Sequence, residues 1–193
     1  MISGDDLVGV GHTVPLNWNK DCADLPNTIG EVLINAIECS DKKAPINVLA
    51  ALAFMVSDHY RGIGFGGEIL TVMKRLAMVN DLESRIIPVR PFGKRDYPLM
   101  PFSKYINWQR TDGSPFDPWL GVHWKMGALI LKTAPKLFTV EGTIKEWENW
   151  ANMHFADSGE YIVDDALKPV LIDCKNNYGL YEDPRIWMLH TCI

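Results

Sequence analysis

The chain has 193 residues, 47% of them hydrophobic and 22% charged, an ordinary globular balance that argues for one domain with a sizeable core. Its formal net charge of -5, with no long basic run, argues against a nucleic-acid partner, whose phosphates call for a basic surface. No stretch reaches the roughly 20 apolar residues of a membrane span. Met1 to Asp6 shows no leader pattern, and the four cysteines are too scattered for a disulfide scaffold or a zinc site, so a cytoplasmic chain with reduced thiols and no metal is expected.

Leu7 to Leu16, rich in valine, reads as a strand that ends at Pro15 and the polar run from Asn17 to Asp24. Thr28 to Glu38 carries Ile29, Val32, Leu33, Ala36 and Ile37 at helical spacing. Ile46 to Val56 is, but for Asn47, a continuous apolar run, the pattern of a strand buried on both faces. A glycine cluster follows, and then Glu68 to Ala77, with Ile69, Val72, Met73 and Leu76 on one helical face. Arg85 to Arg90 reads as a short strand, Phe92 to Tyr97 as a loop of mixed charge, and Pro101 to Arg110 as a short helix.

Asp117-Pro118 opens a further helix, aspartate as N-cap and proline at the first position, ending near Gly127. Leu129 to Val140 and Lys168 to Cys174 read as strands, Ile144 to Trp150 as a short helix, and Ile186 to His190 as a last strand. From Lys136 on, six Trp and Tyr residues point to a core, a partner surface or an acceptor pocket. There is no repeat, and a single α/β (α+β) domain is the expected class.

The most informative unit is buried strand, glycine turn, amphipathic helix. Glycines at 62, 64, 66 and 67 permit positive φ and close approach of backbone to a ligand. Amides at the helix start then converge where the dipole favours an anion, and Arg61 adds a charge-assisted donor. A dinucleotide site expects an acid about 20 residues on, at the end of the next strand. Here Ile86-Ile87-Pro88-Val89-Arg90 has none, and Gly66-Gly67-Glu68 lacks the Lys-Ser/Thr of a P-loop. A turn serving only to pack helix on strand is the alternative.

Arg61, Gly64 and Gly66 fit Arg/Gln-x-x-Gly-x-Gly/Ala, and on them the chain resembles the GNAT superfamily of acyl-CoA-dependent transferases. The likeness extends over Val56 to Gly62, with Asp58 where proline is common in that family, and over Ile69-Leu70. It implies a mixed central sheet with splayed strands and flanking helices. The whole chain, 1–193, is then one GNAT-like domain, with an acyl-CoA-binding core over 1–135 and C-terminal strands and a short helix over 136–193 completing the sheet. It implies acetyl-CoA, or another acyl-CoA, as cofactor. The backbone of Phe54, Met55 and Val56 lines its arm, and Arg61 with the amides of Gly62, Gly64, Gly66 and Gly67 holds its diphosphate.

His123, four residues before Gly127, stands where many members have the tyrosine that protonates the departing thiolate. Imidazole is suited to that role at neutral pH, and a buried structural histidine is the competing reading. His12, Asp58 and His59 are candidates for the base that takes the proton of the amine, with His12 on a strand that resembles the third of the fold. The chain begins at that strand, lacking the family's first strand and two helices. The sheet edge so left invites pairing, with a homodimer as one outcome.

The resemblance implies an N-acetyltransferase acting on a small-molecule amine or an acceptor that the sequence does not name. It leaves two alternatives. GNAT-like decarboxylases that load polyketide synthases also have histidine at this helix position, but they pair it with a strand threonine that Ile87 to Arg90 lacks. The other is a non-catalytic acyl-CoA-binding or assembly domain.

Overall fold

The computed structural model describes residues 2, 3 and 6–192. A small antiparallel pair, β1 (Ile2–Ser3) and β2 (Asp6–Leu7), is followed by β3 (Gly9–Leu16), α1 (Ile29–Asp41), β4 (Val48–Val56), α2 (Phe65–Val79) and β5 (Ser84–Val89). Then come the short helices α3 (Phe102–Tyr105) and α4 (Pro118–Lys125), the long strand β6 (Leu129–Gly142) and α5 (Ile144–Ala151). Strands β7 (Gly159–Tyr161), β8 (Val170–Asp173) and β9 (Tyr178–Thr191) complete the order.

Helices α1, α4 and α5 start at side-chain caps. Thr28 Oγ1 accepts from the Glu31 amide at 3.2 Å. Thr143 and Glu146 form a reciprocal capping box on α5. Asp117 Oδ1 accepts from the amides of Trp119 and Leu120 at 2.9 and 3.0 Å, which makes Asp117 the expected cap of α4. At the other end of that helix Gly127 has φ 77°, and the Ala128 amide returns to the His123 carbonyl at 3.1 Å, a Schellman closure.

The chain divides into two compact units that interleave along the sequence: residues up to 89, 122–132 and from 186 on form the first, and 90–121 with 133–185 the second. In the first, β3 runs antiparallel to β4 from Gly9↔Val56 to Leu16↔Val48, with a bulge between His12 and Thr13. β4 is parallel to β5, and β5 is antiparallel to the last part of β9, from Ser84↔Thr191 to Val89↔Ile186. Helix α2 lies on β3, β4 and β5, burying Ile69, Leu70, Met73 and Ala77. Its close approach needs the glycines of β3: a Cβ on Gly11 would lie 2.5 Å from Met73 Cε. Trp187, fully buried, donates from Nε1 to the Pro26 carbonyl at 2.9 Å.

In the second unit, β7 and β8 are antiparallel and β8 pairs with the first part of β9. Trp147, Phe155, Val170, Ile172 and Tyr181 form its core cluster. Lys94 is also fully buried there, its ammonium donating to the carbonyls of Tyr97 and Leu167, both at 2.6 Å. This is why Phe92–Asp96 forms a 3-10 turn rather than the expected open loop. The buried cation ties the carbonyls just after the turn, at Tyr97 and Pro98, to that of Leu167.

Two other expectations need correction. β4 is buried on both faces only over Val48–Ala51, and beyond that it alternates between half-buried and exposed. The last strand starts at Tyr178, eight residues before the expected Ile186, because Tyr178, Gly179 and Leu180 pair with β8, ahead of the charged stretch Glu182 to Arg185 that hides the strand in the sequence. The sheet is mixed: β4 and β5 run parallel, whereas β3–β4, β5–β9, β7–β8 and β8–β9 run antiparallel. No described helix is long and apolar enough to cross a membrane.

Candidate active site

The two central strands part. β4 and β5 pair only over Val48↔Ser84, Leu49↔Arg85 and Ala50↔Ile86, yet β4 runs on to Val56 and β5 to Val89. Each keeps its other neighbour, β3 and β9 respectively, to the end. Beyond Ala50, β4 therefore continues in ladder with β3 but no longer with β5. Phe54 lies opposite Gly11 and is half-buried, Met55 is 58% exposed, and Val56 is half-buried. These are the three residues whose backbone the sequence assigns to an acyl-CoA arm.

The glycine turn begins two residues past the end of β4. A single 3-10 turn, Asp58–Tyr60, leads to Arg61 in extended conformation. Gly62 and Gly64 then take φ values of 80° and 101°, the left-handed region that favours glycine. Gly64 is the N-cap of α2, which starts at Phe65, three residues before the expected Glu68, because Gly66 and Gly67 are helical. No side chain caps this end. Among the described residues nothing accepts from the amides of Gly62, Gly64 and Gly66, whereas the Gly67 amide donates to the Gly64 carbonyl at 3.0 Å. A Cβ on Gly62, Gly64 or Gly67 would meet nothing within 4 Å. The turn is thus a set of open donors at the positive end of a fifteen-residue helix, a fit for a diphosphate.

Arg61 is exposed, its guanidinium 2.7 Å from Asp58 Oδ1, with Nε donating to the Val56 carbonyl at 3.3 Å. An exposed ion pair of this kind contributes little, so Arg61 is able to exchange Asp58 for a phosphate. His12 is exposed and lies opposite Ala53 at the β3 bulge, on the same ladder as Phe54 and Met55. His59 is exposed beside the turn.

His123 is in a different environment: it is fully buried, and its Nδ1 lies 2.8 Å from Nε2 of the equally buried His190. The rings cross edge to face at 5.1 Å. Arg85, directly opposite His190 in the β5–β9 register, is 2% exposed and donates from Nη1 to the Leu70 carbonyl at 2.5 Å. Burial first, then the neighbouring His190 and Arg85, push His123 down to about 3. Burial, Arg85 and Lys74 push His190 down to about 4. Both imidazoles are therefore neutral at neutral pH, and His123 offers an N–H to hydrogen-bond rather than an acidic proton.

Both values lie below the free-histidine value of 6.5, so the unfolded chain takes up protons first as pH falls. The pair's contribution to stability is complete above about 6.5 and drains away towards 4 and then 3. Urea midpoints taken from pH 7.5 down to 5 should fall more steeply for the native protein than for a His123→Gln/His190→Gln variant. Equal slopes would show that the histidines are not buried neutral.

Arg85 and His190 did not stand out in the sequence. Each is the one titratable residue in an otherwise uncharged strand run, Ser84 to Val89 and Ile186 to His190, and that was the available signal. No metal cluster of His, Cys, Asp or Glu exists among the described residues.

No protein-family model matches the chain. It is 26% identical over 208 residues to the arginine N-acetyltransferase avaD of Aspergillus versicolor, covering 96% of this chain and 71% of that protein. Its backbone matches the loading GNATL domain of CurA from Lyngbya majuscula with a TM-score of 0.63, at 19% identity, over 99% of this chain and 74% of that one. The GphF GNAT-like decarboxylase, solved in complex with isobutyryl-CoA, matches with a TM-score of 0.59 at 15% identity, over 100% of this chain and 76% of the other. The chain has the GNAT-like fold, and the GNAT superfamily is the one that both its motifs and its backbone resemble.

Proposed function

We propose that this protein is an acyl-CoA-dependent N-acetyltransferase that passes an acetyl group directly to an amine. The observation that carries the reading is the parting of β4 from β5 after Ala50 and Ile86, with an uncapped glycine turn at the end of the freed strand. In this reading the amides of Gly62, Gly64 and Gly66, with Arg61, hold the diphosphate. Gly67 contributes its missing Cβ, since its amide is used by the helix itself. The backbone of Phe54, Met55 and Val56, on the strand edge that has parted from β5, holds the pantetheine arm as an added strand would. A backbone N–H of this freed edge polarises the thioester carbonyl, and binding both reactants in one cleft supplies orientation. In this reading His12, exposed on the β3 ladder opposite Ala53, serves as the base towards the amine.

The test is a melting curve with acetyl-CoA, followed by a transfer assay over an amine panel. Ligand held by the folded state alone raises its stability by about 2.7 kcal/mol at a hundredfold excess over Kd. Free arginine heads the panel, since the fungal relative is named for it. No shift at millimolar acetyl-CoA would remove the reading.

A second reading, malonyl-CoA-type decarboxylation, is favoured by the backbone likeness to a GNAT-like decarboxylase and by His123, at the helix position where the family resemblance implies a histidine in such domains. It is weakened by β5, Ser84-Arg85-Ile86-Ile87-Pro88-Val89, which has no threonine. Acetyl-CoA appearing from malonyl-CoA without an amine would select it. Binding without turnover of either kind would select a non-catalytic acyl-CoA-binding domain.

A further inference from the structure

The short turn that leads into the glycines is braced on both sides. The Ser57 amide donates to the Val8 carbonyl at 2.9 Å, carrying the contact of β3 with β4 one residue past the strand. The Tyr60 hydroxyl donates to Asp6 Oδ2 at 3.1 Å, and the Tyr60 ring meets Phe65, the first residue of α2, edge to face at 5.8 Å. Asp58 lies between these anchors and is held near the start of α2. Its Oδ1 accepts from the Arg61 guanidinium at 2.7 Å, while Arg61 Nε donates to the Val56 carbonyl at 3.3 Å. The guanidinium is thus engaged on two sides in the ligand-free protein. Residues 57–68 carry the acids Asp58 and Glu68 against the one base Arg61, a net charge of -1 with His59 neutral. Attraction for an anion therefore comes from the amides, and Arg61, neutralised by Asp58, adds little to it.

We infer that Asp58 is an internal competitor for the acyl-CoA diphosphate, an autoinhibitory contact that withholds Arg61 until a phosphate displaces the carboxylate. The inference rests on the transferase reading, in which Arg61 is the charged donor beside the amides of Gly62, Gly64 and Gly66. Guanidinium pairs with carboxylate and with phosphate through the same fork of N–H donors, so the two anions contend for it. Phosphate entry breaks the Asp58–Arg61 pair, and the freed carboxylate then repels the diphosphate. Both effects weaken binding, but only the first depends on Arg61. The pair is exposed, so it yields to the ligand and lowers affinity by a few fold rather than closing the site. Acetyl-CoA and the product CoA share the diphosphate, so Asp58 loosens the hold on both, and its return to Arg61 favours product release.

Calorimetric titration of acetyl-CoA into the native protein, Asp58→Asn, Arg61→Gln and the double variant forms a cycle that isolates the competition. Asp58→Asn should bind acetyl-CoA about two- to fivefold more tightly than native, and CoA by the same factor. In the Arg61→Gln background the same substitution removes repulsion alone, and its gain should be smaller by about twofold or more. No gain in Asp58→Asn, or an equal gain in both backgrounds, would overturn the inference and leave the transferase reading standing, since acetyl-CoA still binds. A gain for acetyl-CoA without one for CoA would also overturn it, because the effect would then lie at the acyl end. Absence of binding by both the native protein and Asp58→Asn would instead retire the transferase reading, and the inference with it. Asp58→Ser, which also removes the charge at this exposed position, provides the same comparison should Asp58→Asn fail to fold.

Discussion

Gly64→Ala should abolish most of the melting-temperature rise that acetyl-CoA produces, while leaving the ligand-free protein folded. Gly64 sits at φ 101° as the N-cap of α2, a conformation that costs a residue with a Cβ roughly 1–2 kcal/mol. The space around it is open, so the cost is conformational and local to the helix end. The chain relieves it by rotating the peptide units on either side, and these carry the amides of Gly64 and Phe65 away from the point where a diphosphate would sit. Loss of preorganised donors then shows as weaker binding, a rise in KM for acetyl-CoA of about tenfold or more. Gly67→Ala is the matched contrast. Gly67 is helical and also has open space at its Cβ position, so alanine there should raise ligand-free stability by about 0.5–1 kcal/mol. Calorimetry of the two variants with and without acetyl-CoA separates the effects. Unaltered acetyl-CoA binding by Gly64→Ala would mean the turn only packs a helix on a strand.

Gly179→Ala should be the most damaging single-methyl change in the second unit. A Cβ there would lie 2.5 Å from Trp147 Nε1 and closer still to Cδ1, so the backbone of β9 rests against the indole edge. Trp147 is 5% exposed in the cluster with Phe155, Val170, Ile172 and Tyr181, and has no free direction in which to move. Overpacking of this kind costs about 1–3 kcal/mol. For a chain of this size each kcal/mol lowers the melting temperature by about 2–4 °C. Trp147→Leu makes a cavity alone, yet in the Gly179→Ala background it makes room for the new methyl. The double variant should therefore be more stable than the sum of the singles by about 1 kcal/mol or more. Strict additivity would mean that the two residues do not touch.

Local chemistry made the fold readable where one signal dominated. Asp117-Pro118 and Gly127 bracket α4 because cap and stop chemistry depends on nearest neighbours alone. The apolar run of β4 and the glycine turn after it were equally plain. Burial was less legible: the sequence of Leu52 to Val56 is as apolar as that of Val48 to Ala51. What differs is a strand partner, which stops at Ala50, and no local pattern reports where a neighbour turns away. The same holds for Phe92–Asp96, whose turn is made by a lysine that charge alone would place in solvent. At the site, the residues that make contacts through backbone were found by their glycines. The partners of His123 were not, since Arg85 and His190 are brought to it by register between strands far apart in the chain.

Strand β9 serves both units, pairing with β8 before Arg185 and with β5 after it. During synthesis, then, β5 emerges about half a chain ahead of the strand that will satisfy its second edge. The growing polypeptide must carry Ser84 to Val89 with that edge unpaired until residues 186–191 have emerged from the ribosome, so closure of the first unit waits on that distant segment.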